Sequence, residues 1–348
     1  MDLTGSLAPR GAGDGGPLQQ LAQLAQELEE KPWLHDVIAE TQPAAYEQIL
    51  NLANSPFFKW KPFGHTIDDN PCQIGWMNEW AHQCWAVCGN RTGKTESTWH
   101  KFFASMVGVD PITKKPSDRF KSQKRPNGEI DGWIVSDTED TSIDIIQRTL
   151  VREILGDDES GFLWNFVDDS CQWTESGGWK NSRFATTNGS RVTFKFSTQK
   201  RKTFQGTSRN IIWADEEQPK DIMEECRTRV ADCDGYMWGT LTPVYERLRG
   251  IPWIYHDVYL SREEKGIPFH NWSLLHNPYI SDEVKERLSR EWDEDSREVR
   301  IHGMFVPMGI QLAFPLSMIR TMRESTVDPM DKGHLRFNEA GKVELVEI

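Results

Sequence analysis

The residues from Gly89 to Thr95, GNRTGKT, are of the types that gather phosphate: glycines that let backbone N–H groups turn inward, then a lysine and a hydroxyl where a helix begins. Lys94 would reach the β- and γ-phosphates of ATP, and the Thr95 hydroxyl would face a Mg²⁺ ion. The spacing G-x-x-x-x-G-K-[ST] puts its first glycine at position 88, where this chain has Cys88 and the glycine follows one residue later. Gly89 is therefore expected to supply the sharp turn. Gly89, Asn90, Arg91, Thr92, Gly93, Lys94, Thr95 and Glu96 together form the expected nucleotide cradle. Downstream, IIWADEEQ reads as a buried strand ending in two acids, with Asp215 placed to hold Mg²⁺ and Glu216 to polarise an attacking water. Glu217 is the alternative base, but adjacency to Asp215 favours Glu216. GTLTP follows, with Thr240 and Thr242 positioned to sense the γ-phosphate. Gln73, one helix before the loop, has the donor and the acceptor needed to bind an adenine edge.

These groups need elements to hold them, and the hydrophobic pattern supplies alternating strands and helices. CWAVCG reads as an apolar strand entering the loop, and KTESTWHKFFASMVG as the helix leaving it. DGWIVSDTE, RVTFKFST, RNIIWADEE and GYMWGTLTP read as further strands, and TSIDIIQRTLVREILG as a helix closed by Gly156. The order predicts an α/β fold of the P-loop NTPase kind, a three-layer sandwich with a mostly parallel central sheet. Residues 1–16 are Gly-rich and aperiodic, which predicts a disordered tail, and Leu18, Leu21, Leu24 and Leu28 mark a short amphipathic helix after it. Residues 1–45 are thus read as tail and helix, 46–245 as the ATPase core, and 246–348 as a small helical lid and linker. The acidic stretch SDEVKERLSREWDEDSREVRIHG is the solvated face of that lid.

Composition narrows the class. The chain has 348 residues, 27 % charged and 37 % hydrophobic, as in a water-soluble globular protein. Neither a membrane span nor a secretory leader is evident. The six cysteines show no CxxC spacing, so reduced thiols and no structural zinc are expected. A formal charge of −13 is unlike a nucleic-acid binder on average, yet a local basic surface can still grip phosphates. Two such surfaces stand out: Lys200, Arg201 and Lys202 with Arg209, and the loop carrying Lys114, Lys115, Lys121, Lys124 and Arg125.

Taken in order, Gln73, GNRTGKT, IIWADEE, GTLTP, HNPYISDEVKERL and REVRIHGMFVP resemble the large terminase subunit of tailed bacteriophages over residues 60–315. The resemblance implies an ATP-driven motor that moves double-stranded DNA through a portal protein into a procapsid. It further implies a small terminase subunit as partner, a homo-oligomeric ring (a pentamer), no membrane, and the cytoplasm of an infected bacterial host. By motif match Lys94 and Glu216 are catalytic with Arg91 acting in its own subunit, Thr95 and Asp215 hold the metal, and Thr242 couples hydrolysis to motion. The chain departs from the family in two ways. It leaves too little length for the family's C-terminal nuclease, so no nuclease activity is expected. Gln205 also precedes Gly206 where relatives carry an arginine, which leaves Arg201 or Arg209 as the candidate finger for a neighbouring subunit. Two other readings share the motifs: a helicase or DNA-repair ATPase, and a scaffold that binds nucleotide without turning it over.

Overall fold

Short runs that are apolar at every position, bounded by turn residues, make strands buried on both faces, and this chain builds a sheet from them. In the computed structural model, residues 17–64, 68–117, 129–157, 161–244, 253–306, 334–337 and 343–346 are described. The strands are β1 (Gln83–Val87), β2 (Asp131–Ser136), β3 (Trp173–Thr174), β4 (Gly178–Trp179), β5 (Arg183–Ala185), β6 (Arg191–Phe196), β7 (Ile211–Asp215), β8 (Tyr236–Leu241), β9 (Phe269–His270), β10 (His334–Phe337) and β11 (Val343–Val346). Seven of them form one sheet in the order β5-β6-β2-β7-β8-β1-β9. All its pairings are parallel except β5 against β6. The pairs β3–β4 and β10–β11 stand apart as antiparallel ribbons.

Alternation along each strand sorts the core into two layers. Cys84, Ala86, Ile134, Ile211 and Trp213 face one cluster, and Trp85, Val87, Trp133, Val135, Ile212 and Ala214 face the other. The helices, in chain order, are α1 (Pro17–Glu30), α2 (Leu34–Thr41), α3 (Pro43–Asn54), α4 (Pro56–Lys59), α5 (Cys72–Asn78), α6 (Lys94–Val107), α7 (Glu139–Thr141), α8 (Lys220–Ala231), α9 (Asp282–Glu291) and α10 (Glu294–Arg300). The first layer is closed by α6, whose Trp99, Phe102 and Phe103 are buried, together with α5 and the leucines of α1. Ile222, Met223 and Cys226 of α8 close the second, beside Ile254 and Val258. The sheet thus lies between two helical layers, as the alternating sequence pattern predicts.

Three differences from the sequence reading have local causes. The expected α-helix after β2 is wound as two π-helical turns, Ser142–Gln147 and Leu150–Leu155. The Trp99 indole donates to the Ile146 carbonyl at 2.7 Å, which takes that carbonyl out of the regular ladder. The acidic segment is two helices rather than one, because Asp293 caps α10 by accepting from the Ser296 N–H at 2.7 Å. The expected boundary after residue 245 does not divide the sheet: β9, from the far side of that boundary, pairs with β1. The tail before residue 17 and residues 307–333 of the expected lid and linker lie outside the described residues.

Candidate nucleotide site

The loop between β1 and α6 sits at the carboxyl edge of the sheet. Arg91 and Gly93 both have left-handed backbones, at φ 57° and 72°, and Gly93 caps α6. Gly89 stands just before the turn at Asn90 and Arg91 and is not among the positive-φ glycines. Its missing side chain makes room instead: a Cβ there would stand 2.2 Å from the Ile301 carbonyl oxygen. Gly303 answers it from the other chain segment, where a Cβ would fall 2.4 Å from the Cys88 carbonyl carbon. Cys88 itself is fully buried, and burial pushes its thiol far above the usual range. It continues the ladder by donating its N–H to Leu241 O at 2.9 Å.

Three side chains from outside the loop take its carbonyls. Asn277 donates to Arg91 O at 2.7 Å, the Trp272 indole to Thr92 O at 2.9 Å, and the Gln73 amide to Gly93 O at 3.2 Å. A trans peptide points each C=O opposite the N–H that follows it. Fixing these carbonyls therefore aims the N–H groups of Thr92, Gly93 and Lys94 the other way, at the positive end of a 14-residue helix. Asn90 N–H is tied to Arg300 O at 2.6 Å, and the Thr92 hydroxyl donates to Gly89 O at 3.0 Å.

The acids converge on the same place because β8 lies between β1 and β7. Lys94 Nζ donates to Thr242 Oγ1 at 2.5 Å and stands 3.6 Å from Glu216 Oε1. Glu216 Oε2 accepts the Thr242 N–H at 2.9 Å. Its backbone is left-handed at φ 63°, a conformation that costs a non-glycine residue about 1–2 kcal/mol. An N–H bond to Thr240 O at 2.7 Å helps hold it there. Asp215, 5 % exposed, accepts from the Thr240 hydroxyl at 2.8 Å. Burial, then the neighbouring Glu216 charge, pushes its carboxyl up to about 7; Thr240 and Lys94 pull the other way. Glu217 turns elsewhere, toward the backbone of Ile254 and Trp253, and burial raises its carboxyl above the usual value.

Several sequence expectations shift in detail. The Gln73 amide is 2 % exposed, spends its donor on the loop and its acceptor on the Phe63 N–H at 3.4 Å, and so braces the loop. The Thr240 hydroxyl accepts from the Trp213 indole at 2.7 Å while holding Asp215, so Thr242 alone of the two meets Lys94. Glu96 is pushed up to about 7 by burial and by Glu153, with the Trp60 indole against it. Thr95 is half-buried in the first turn of α6, and Arg91 is exposed. Among the candidate fingers, Arg201 forks onto Glu225 at 2.8 and 3.0 Å. Arg209 lies over the Trp133 ring and 3.6 Å from Asp131, at the amino edge of the sheet opposite the loop. Lys200 and Lys202 are exposed just beyond the carboxyl end of β6. Lys114 covers the Phe57 ring and is pushed down to about 7 by burial, and Lys115 pairs with Glu30 at 3.5 Å. Lys121, Lys124 and Arg125 lie outside the described residues.

Residue-type reasoning did not single out Trp272, Asn277, Ile301 or Gly303. Asn277, Ile301 and Gly303 lie within the quoted HNPYISDEVKERL and REVRIHGMFVP stretches, and Trp272 lies a few residues before the first of them.

No family model matches this sequence. Over 246 residues, 65 % of this chain, it is 26 % identical to the terminase large subunit of Salmonella phage P22, covering 48 % of that protein. Over that stretch the chain is similar to a phage terminase large subunit. Its fold is that of the large terminase of a thermophilic bacteriophage, at TM-score 0.51 and 14 % identity over 68 % of this chain and 53 % of that one. The thermophilic phage protein has also been solved in complex with ATP-γ-S, a structure this chain matches at TM-score 0.49 and 14 % identity, again over 68 % of this chain and 53 % of that one. The chain spans about half the length of these relatives.

Proposed function

We propose that this chain hydrolyses ATP with Mg²⁺ and couples the reaction to movement of double-stranded DNA, as the ATPase part of a packaging motor. The carrying observation is the convergence of Lys94, Thr242, Glu216 and Asp215 at one carboxyl edge of the sheet. Oxygen donors suit Mg²⁺, which keeps several waters and takes only one or two protein ligands; the Asp215 carboxylate and the Thr95 hydroxyl are the residues that would hold it. When bound, the ion would neutralise charge on the β- and γ-phosphate oxygens.

The chain's own groups do the remaining work. The N–H groups of Thr92, Gly93 and Lys94 receive phosphate oxygens. Lys94 exchanges the Thr242 hydroxyl for the γ-phosphate, which takes its charge from beside Glu216. Glu216 then orients the attacking water and accepts its proton, and Arg91 adds charge at the rim within the same subunit. Thr242 touches both Lys94 and Glu216 and leads directly into Pro243, so loss of the γ-phosphate is felt first at the end of β8. Lys200, Arg201 and Lys202, beyond the same sheet edge, are assigned to DNA phosphates, contacts blind to sequence. By likeness to terminases the working partners are the portal protein, the procapsid, a small terminase subunit and further copies in a ring, in the cytoplasm of the host. Arg201 remains the candidate finger for a neighbour, provided that ring assembly releases it from Glu225.

The test is ATP turnover with and without double-stranded DNA at low and moderate salt, with procapsids in a second arm. DNA stimulation that fades with salt, a further rise with procapsids, and no turnover by Lys94→Ala are expected. Wild-type turnover by Lys94→Ala would overturn the site.

A further inference from the structure

We propose that Tyr279, with Phe63 behind it, is the seat of the nucleotide's base and holds it by ring stacking. The proposal rests on the nucleotide reading above and extends it from the triphosphate to the base. Tyr279 is 72 % exposed, the most exposed large apolar side chain among the described residues. Its ring meets the edge of Phe63 at 6.4 Å and an interplanar angle of 67°.

The main chain of each aromatic residue is tied to the phosphate loop through a residue that braces it. Asn277, itself buried, accepts the Tyr279 N–H on its side-chain oxygen at 2.9 Å while its nitrogen holds Arg91 O at 2.7 Å. Phe63 donates its N–H to Gln73, whose nitrogen holds the Gly93 carbonyl. One amide thus fixes each aromatic residue relative to the loop, from segments far apart in sequence. Ile74, 38 % exposed, adds apolar surface on the helix that carries Gln73.

An aromatic face pinned beside a phosphate cradle matches the chemistry of a nucleoside triphosphate, flat and apolar at one end and anionic at the other. The Gln73 amide is committed to the backbone of the loop and of Phe63. A stack accepts any base with a large π-face, so ATP and GTP should bind alike.

The experiment is calorimetric titration of the full chain, with Mg²⁺, using ATP, GTP and inorganic tripolyphosphate on wild type, Tyr279→Ala and Tyr279→Phe. Tyr279→Ala should weaken ATP and GTP about 5- to 150-fold, the range that one base–aromatic stack supplies, and leave tripolyphosphate unchanged. Tyr279→Phe should keep the wild-type affinities. Unchanged ATP affinity in Tyr279→Ala would overturn the stacking role and leave the phosphate site standing. An equal loss for tripolyphosphate would also overturn it, by making Tyr279 a support of the loop. Wild type that binds neither ATP nor tripolyphosphate would bring down the nucleotide reading itself.

Discussion

Asp215→Asn tests whether the buried acid is built for a cation. In the folded protein burial and Glu216 lift the Asp215 carboxyl from 3.8 to about 7. Between those values the fold holds a proton that the unfolded chain has released, so the stability due to this group falls as pH rises through the window and levels off above about 7. At about 1.4 kcal/mol per pH interval the loss amounts to roughly 4 kcal/mol by pH 8. Asparagine keeps the oxygen that accepts from Thr240 and cannot ionise. The two proteins should therefore unfold at similar urea concentrations near pH 4.5 and diverge above it, with the variant more stable at pH 8. Urea titrations followed by the fluorescence of the 15 tryptophans, taken from pH 4.5 to 8, measure the difference and cancel the other titrating groups. Mg²⁺ and ATP at about 100 times Kd should restore about 2.7 kcal/mol to wild type and nothing comparable to the variant. Parallel pH curves, or a variant less stable than wild type at pH 8, would refute the reasoning.

Glu216→Gln should bind ATP as wild type does and lose about 10²- to 10⁴-fold in turnover; calorimetry beside a phosphate-release assay separates the two, and loss of binding would give Glu216 a structural part. Gly89→Ala should push the Ile301 carbonyl aside, since its Cβ would lie 2.2 Å away. That overpacking should cost about 1–3 kcal/mol and weaken ATP together with tripolyphosphate. Unchanged melting and affinity in this variant would show that the approach of residues 300–303 is not needed.

The sequence by itself determined the pieces whose signals are local. Apolar runs ending in turn residues marked the strand before GNRTGKT, the helix after it and the strand in IIWADEE, because strand and helix periods are written within a few residues. Lys94, Asp215 and Glu216 stood out as candidates for the same reason: Lys94 opens the helix after the glycine loop, and the two acids stand where β7 meets a turn. What the tertiary structure alone decided is pairing between distant segments. Placement of β8 between β1 and β7 brings Thr242 to Lys94 and to Glu216. Residues 271–303 fold back onto the loop, so that Asn277, Trp272 and Gly303 shape its backbone. Gly89 shows the distinction in one residue. Its type suggested a turn, but its cause is a carbonyl more than 200 positions away, and nothing within a few residues of it records that neighbour.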